Sequence, residues 1–140
     1  SLPKLLPEST NTDINLFLDL RKNMNLTYLF ISHDMGVIEH IADRIVVMYL
    51  GQVVEIATTD QIIHQTNHPY TKALLSGVPT LDTTRKMYEP IKGEIPSPLN
   101  PPSGCYFHPR CKFATEKCKV EKPLLKEIAA NHFSACHLND

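Results

Sequence analysis

The stretch Thr27-Tyr28-Leu29-Phe30-Ile31-Ser32-His33-Asp34 decides how the chain is read. Tyr28 to Ile31 are apolar, without the polar alternation of a half-solvated strand. They are predicted to form a strand buried on both faces. The run stops at the polar triplet Ser32-His33-Asp34. In open α/β folds, ligands bind just beyond the carboxyl ends of such strands, which makes His33 a candidate for chemistry. The plainer alternative is a strand-end histidine that caps the next helix or bonds to backbone.

Working outward, residues 13–23 carry an apolar stripe of Ile14, Phe17, Leu18 and Leu20. Asp13 is a candidate N-cap there, and Arg21-Lys22 suit the C-terminal end of a helix. After Asp34 a second helix is expected to about Ala42, with Val37, Ile38 and Ile41 on one side. Ile45 to Tyr49 and Gln52 to Ile56 read as two strands joined at Leu50-Gly51. Gly51 can supply the positive φ of a tight turn, so a β-hairpin is expected. Met48, Tyr49 and the Val46-Val47 pair read as core. Thr58 or Thr59 is placed to cap a short helix to Gln65. His68-Pro69 interrupts, and a further helix follows from Tyr70 to Ser76. His40, His64 and His68 read as surface or capping residues.

Eleven prolines occur in 140 residues, and six of them fall between Pro79 and Pro102. They forbid continuous regular structure over 78–103 and predict an ordered connection on which Leu81, Ile91, Ile95 and Leu99 pack. All four cysteines lie beyond it. A short helix is expected over 123–129 and a terminal strand over 132–137. With 42% hydrophobic residues the chain is able to bury a core. A net charge of -1 excludes a strongly basic nucleic-acid platform, so no nucleic-acid partner is expected. No apolar run reaches membrane-spanning length, and Ser1 to Thr10 lacks the layout of a signal peptide.

The order of motifs over residues 14–138 resembles the C-terminal part of an ABC-transporter ATPase. Leu26 to Met35 and Ala42 to Glu55 carry the general likeness. His68-Pro69-Tyr70-Thr71-Lys72-Ala73-Leu74-Leu75 narrows it to the oligopeptide/dipeptide importer branch with its C-terminal extension. So do Gly93 to Pro98, Pro102 to Cys105, Phe107 to Cys111 and Cys136-His137. The resemblance implies an α/β fold: a partial, P-loop-NTPase-like C-terminal portion with a β-hairpin, followed by an irregular Pro/Cys-rich extension. Residues 1–12 have no assigned counterpart, 13–77 would be the end of the nucleotide-binding domain, and 78–140 the extension. By the same likeness His33 is the switch histidine that contacts the ATP γ-phosphate. The implied cofactors are ATP and Mg2+. The implied partners are a second ATP-binding subunit, membrane permease subunits and a substrate-binding protein. The implied location is the cytoplasmic face of a bacterial or archaeal membrane.

No Gly-x-x-x-x-Gly-Lys-Ser/Thr loop is present, nor a signature loop, nor an acidic pair closing a strand before His33. Phosphoryl transfer rests on positioning by those parts, so the chain alone is expected to be inactive. It reads as a fragment whose unpaired strands invite self-association. The alternative is a non-enzymatic metal-binding or regulatory module.

Cys105, Cys111, Cys118 and Cys136 are separated by five, six and seventeen residues. Four thiolates suit tetrahedral zinc or an iron–sulfur cluster, although the spacing matches neither common zinc ribbons nor ferredoxin runs. Two disulfides or four structural thiols are the other readings. The family resemblance implies a [4Fe-4S] cluster on these four cysteines, with zinc as the alternative. His108, His132 and His137 are alternative ligands, with a place behind the ligands or at the surface the preferred reading of each. Arg110 is either a donor to a negatively charged cluster or a solvated side chain.

Overall fold

The computed structural model describes residues 8–77 and 93–140, without the side chains of 8–14 and 17. Chain order runs α1 (Glu8–Met24), α2 (Met35–Ile41), β1 (Arg44–Tyr49), β2 (Gln52–Thr58), α3 (Thr59–His64) and α4 (Pro69–Ser76). A 3-10 turn (His108–Arg110), α5 (Glu116–Val120), β3 (Lys126–Ala129), β4 (His132–Ser134) and a second 3-10 turn (His137–Asn139) follow. The four strands form one antiparallel sheet in the order β1-β2-β4-β3.

The expected hairpin is present. Leu50 and Gly51 both have positive φ, 48° and 77°, as a two-residue turn between right-twisted strands requires. The sequence reading had assigned that conformation to Gly51 alone. Along β1, Ile45, Val47 and Tyr49 face inward and the alternate residues face out. Val46 and Met48 are therefore 54% and 53% exposed, and the expectation that they belong to the core is corrected.

On β2 the alternation breaks. Val47 pairs with Glu55 while Met48 pairs with Val53, so Val54 is an extra residue forming a bulge. Val54 and Glu55, consecutive in sequence, are both buried as a result. Thr58 caps α3 through a reciprocal capping box with Gln61. Met35, Ile45, Val47, Tyr49, Val54, Ala57, Ile62, Ile63, Leu75 and Phe107 make up the core. Phe107 brings the cysteine-bearing region into it.

Several expectations are overturned. Residues 27–32 form no strand, and Leu29 and Ile31 are 91% and 88% exposed. A strand buried on both faces needs a strand on each side, and among the described residues no strand pairs with 27–32. Asp13 lies inside α1 instead of capping it, and the helix ends at Asn25, whose φ is +51°. Residues 126–129 are strand, not helix, because they pair with β4. The part of the chain carrying the cysteines is thus not irregular: it contributes two strands and α5. Ile95 and Leu99, expected to pack, are 68% and 95% exposed. Leu81 and Ile91 lie outside the described residues. Among the described residues no helix is long and apolar enough to cross a membrane.

Candidate functional site

The bulge at Val54 turns Glu55 into a fully buried position, and three donors meet its carboxylate there. His68 N–H donates to Oε1 at 2.8 Å, and Asn67 N–H donates to Oε2 at 3.1 Å. The His132 Nε2 lies 2.6 Å from the same Oε2. His132 and Glu55 are 1% and 0% exposed. A buried carboxylate is tolerated only when its oxygens are so satisfied. The expectation that His132 lies at the surface gives way to this buried pair.

His68 completes the seam. Its Nδ1 accepts from Tyr70 N–H at 3.1 Å and caps α4, with Pro69 in the first turn, where no donor is needed. The Ala135 backbone acts electrostatically on the ring. Ala135 N–H in turn donates to Val54 O at 2.8 Å. Burial lowers the His68 pKa from 6.5 to about 4; the Ala135 backbone opposes this and Lys72 adds to it. The capping half of the sequence reading holds, and the surface half does not. Tyr70 stacks at 4.7 Å on Tyr49, and both rings meet Phe107. His-Pro-Tyr is thus one device: a cap, a helix start and an aromatic anchor.

The cysteines lie beyond this seam. Cys105 N–H donates to Cys118 O at 2.8 Å, so these two are held on neighbouring backbone. Gly104 permits that approach: a Cβ there would lie 2.3 Å from Cys118 O, at φ +65°. The 3-10 turn carries the chain from Cys105 to Cys111. Cys136 follows Ala135 directly and so inherits the position of β4. Burial pushes the Cys136 thiol up to about 11, opposed by the Leu138 amide and reinforced by Cys111, Cys105 and Cys118. Burial likewise raises Cys105 and Cys111. The backbone of Phe107 and His108 opposes the rise at Cys105, and that of Phe113 opposes the rise at Cys111.

All four cysteines are free thiols, not disulfides. Among the described residues no group of three or more His, Cys, Asp or Glu closes on a single metal ion. In chemistry alone, four thiols are a donor set for zinc or for an iron–sulfur cluster. Arg110 is not a solvated arginine: it bonds the Tyr49 hydroxyl at 3.3 Å and lies over that ring. His33 stands apart on an exposed loop. Beside it Asp34 caps α2, accepting from Gly36 N–H at 3.0 Å.

Fold and site together define a class: an α/β segment whose β-hairpin docks a cysteine-bearing region along one strand edge. Residues 54–118 match the family described as oligopeptide/dipeptide transporter, C-terminal region. The chain is 50% identical over 124 residues to the dipeptide transport ATP-binding protein DppF of Haemophilus influenzae, covering 88% of this chain and 38% of that protein. It is 49% identical over 128 residues to the oligopeptide transport ATP-binding protein AppF of Bacillus subtilis, covering 89% and 39%. Over most of its own length the chain is similar to these ATP-binding subunits, and residues 54–118 match the family's C-terminal region. It spans well under half of their length.

Proposed function

We propose that the chain serves as the C-terminal portion of an ABC importer ATP-binding subunit that couples ATP hydrolysis to uptake of oligopeptides or dipeptides. The match over residues 54–118, with about half identity to two transport subunits, carries this reading. Residues 13–77 would complete a P-loop-type nucleotide-binding domain, with 78–140 as its extension. ATP and Mg2+ would bind chiefly through parts this sequence lacks. His33, exposed at the loop, would hydrogen-bond the γ-phosphate and stabilise charge in the transition state. A second ATP-binding subunit, permease subunits and a substrate-binding protein would be its partners. The assembly would sit at the cytoplasmic face of a bacterial or archaeal membrane.

The test is a chimera in which residues 13–140 replace the corresponding part of the Haemophilus influenzae DppF protein. It should hydrolyse ATP, and His33→Ala should lower turnover by about 10²-fold or more. Turnover indifferent to His33 overturns the assignment. The 140-residue chain alone should show no turnover.

Cys105, Cys111, Cys118 and Cys136 would hold a [4Fe-4S] cluster, which would supply a structural cross-link. Anaerobic reconstitution with iron and sulfide analysis checks this. Stoichiometric zinc without iron sinks the cluster reading. A second reading, a non-enzymatic metal-binding module, draws on the same thiols and on the absence of a phosphate loop from the sequence. Nucleotide binding by the chimera with no dependence on His33 would favour it.

A further inference from the structure

We propose that Cys105 and Cys118 form an oxidation site: with nothing bound to them, a small-molecule disulfide links these two thiols to each other in preference to any pairing with Cys111 or Cys136. The inference goes beyond the function proposed above and does not need it, because it concerns two thiols in their unliganded state.

Backbone geometry carries the inference. Cys105 N–H donates to Cys118 O at 2.8 Å. Standard bond lengths then leave the two Cα atoms at most about 6.7 Å apart, whatever the angles. A disulfide reaches across Cα separations up to about 7 Å. Among the described residues no other two cysteines share a backbone bond. A second contact fixes the approach: Ser103 Oγ donates to Lys119 O at 2.7 Å, so residues 103–105 run beside 118–119. Between them lies Gly104, where a Cβ would stand 2.3 Å from Cys118 O and 2.7 Å from the Lys119 carbonyl carbon. No side chain fits there. The two thiols differ in access. Cys118 is buried, its sulfur 3.3 Å from Thr115 Oγ1, whereas Cys105 is partly exposed. Cys105 is therefore the thiol that meets the oxidant first, and Cys118 resolves the product. In the first exchange Cys105 gives up its proton and its sulfur attacks the small disulfide. That S–S bond breaks, and the leaving sulfur takes up a proton. Cys118 then loses its proton and attacks the Cys105 sulfur, which releases the second small thiol. Two protein thiols are oxidised, and one small disulfide is reduced to two thiols.

The experiment uses the 140-residue chain, treated with a chelator and equilibrated with oxidised and reduced glutathione. The reaction is quenched with acid, free thiols are alkylated, and the chain is mapped by mass spectrometry without reduction. Trypsin cuts at Arg110, Lys112 and Lys117, so Cys105, Cys111 and Cys118 fall in separate peptides. The Cys105–Cys118 pair should exceed every other pairing of Cys105 about tenfold. Cys105 linked mainly to Cys111 or Cys136, or recovered only as a mixed disulfide with glutathione, overturns the proposal. The same map taken in urea should instead favour the pairs closest in sequence, Cys105–Cys111 and Cys111–Cys118. A pairing pattern identical with and without urea overturns the proposal as well, because the fold then selects nothing. Gly104→Ala, which forces the two backbones apart, should lower the ratio of Cys105–Cys118 pair to mixed disulfide about tenfold. An unchanged ratio in a folded Gly104→Ala chain counts against the proposed geometry. Should that variant not fold, the comparison of the unmodified chain with and without urea decides alone.

Discussion

His68 is kept neutral by where it sits. Burial lowers its pKa from 6.5 to about 4, so between those values the unfolded chain binds more protons than the folded one. The stability that neutral His68 contributes is complete above pH 6.5 and is lost as pH falls toward 4. Over the whole window this amounts to about 3 kcal/mol. Denaturant midpoints should therefore fall between about pH 7 and about pH 4, and His68→Asn, which preserves the cap, should flatten that slope. An unaltered slope in the variant would place the titration elsewhere. Two glycines make a second contrast. At Gly51 an added Cβ meets nothing, so Gly51→Ala costs only the left-handed strain, about 1–2 kcal/mol. At Gly104 the same change also drives Cβ into Cys118 O, and about 3 kcal/mol or more is expected. Thermal or urea unfolding of the two variants measures the difference.

The elements most legible in the sequence are those whose chemistry is local. The β1–β2 hairpin follows from a two-residue turn with glycine, the Thr58 cap from its Gln61 partner, and the α4 start from His68-Pro69. The strand expected at residues 27–32 fails because no strand among the described residues pairs with it, and the helix expected at 123–129 fails because residues 126–129 pair with the nearby β4. Glu55 was invisible as a site for a different reason. Alternation along a regular strand cannot bury two consecutive residues, and only the bulge at Val54 does so. The four cysteines were legible as a set. Deleting Val54 tests the bulge directly. The hairpin should persist while Glu55 leaves the core, and the amide hydrogens of Phe133 and Ala135 should lose protection from exchange. Retained protection would mean that β4 docks without Glu55.

At the scale of the whole molecule, the exposed run at residues 27–32 is the clearest liability. Leu29 and Ile31 add a nearly bare apolar surface next to the sheet-forming region's sequence neighbours. Sedimentation velocity should show concentration-dependent self-association of the chain. Replacing Leu29 and Ile31 by serine should reduce it without lowering the unfolding midpoint, since neither side chain is buried. The sheet itself mixes two very different separations. β1 and β2 meet across a two-residue turn, whereas Glu55 and His132 stand 77 residues apart. Closing that long loop is entropically slower than closing the turn, so the hairpin forms early and β4 joins late. In stopped-flow experiments Glu55→Gln should accordingly speed unfolding and leave the refolding rate nearly untouched. The molecule's persistence in time, as distinct from its stability at equilibrium, is then governed by how long one short strand stays docked.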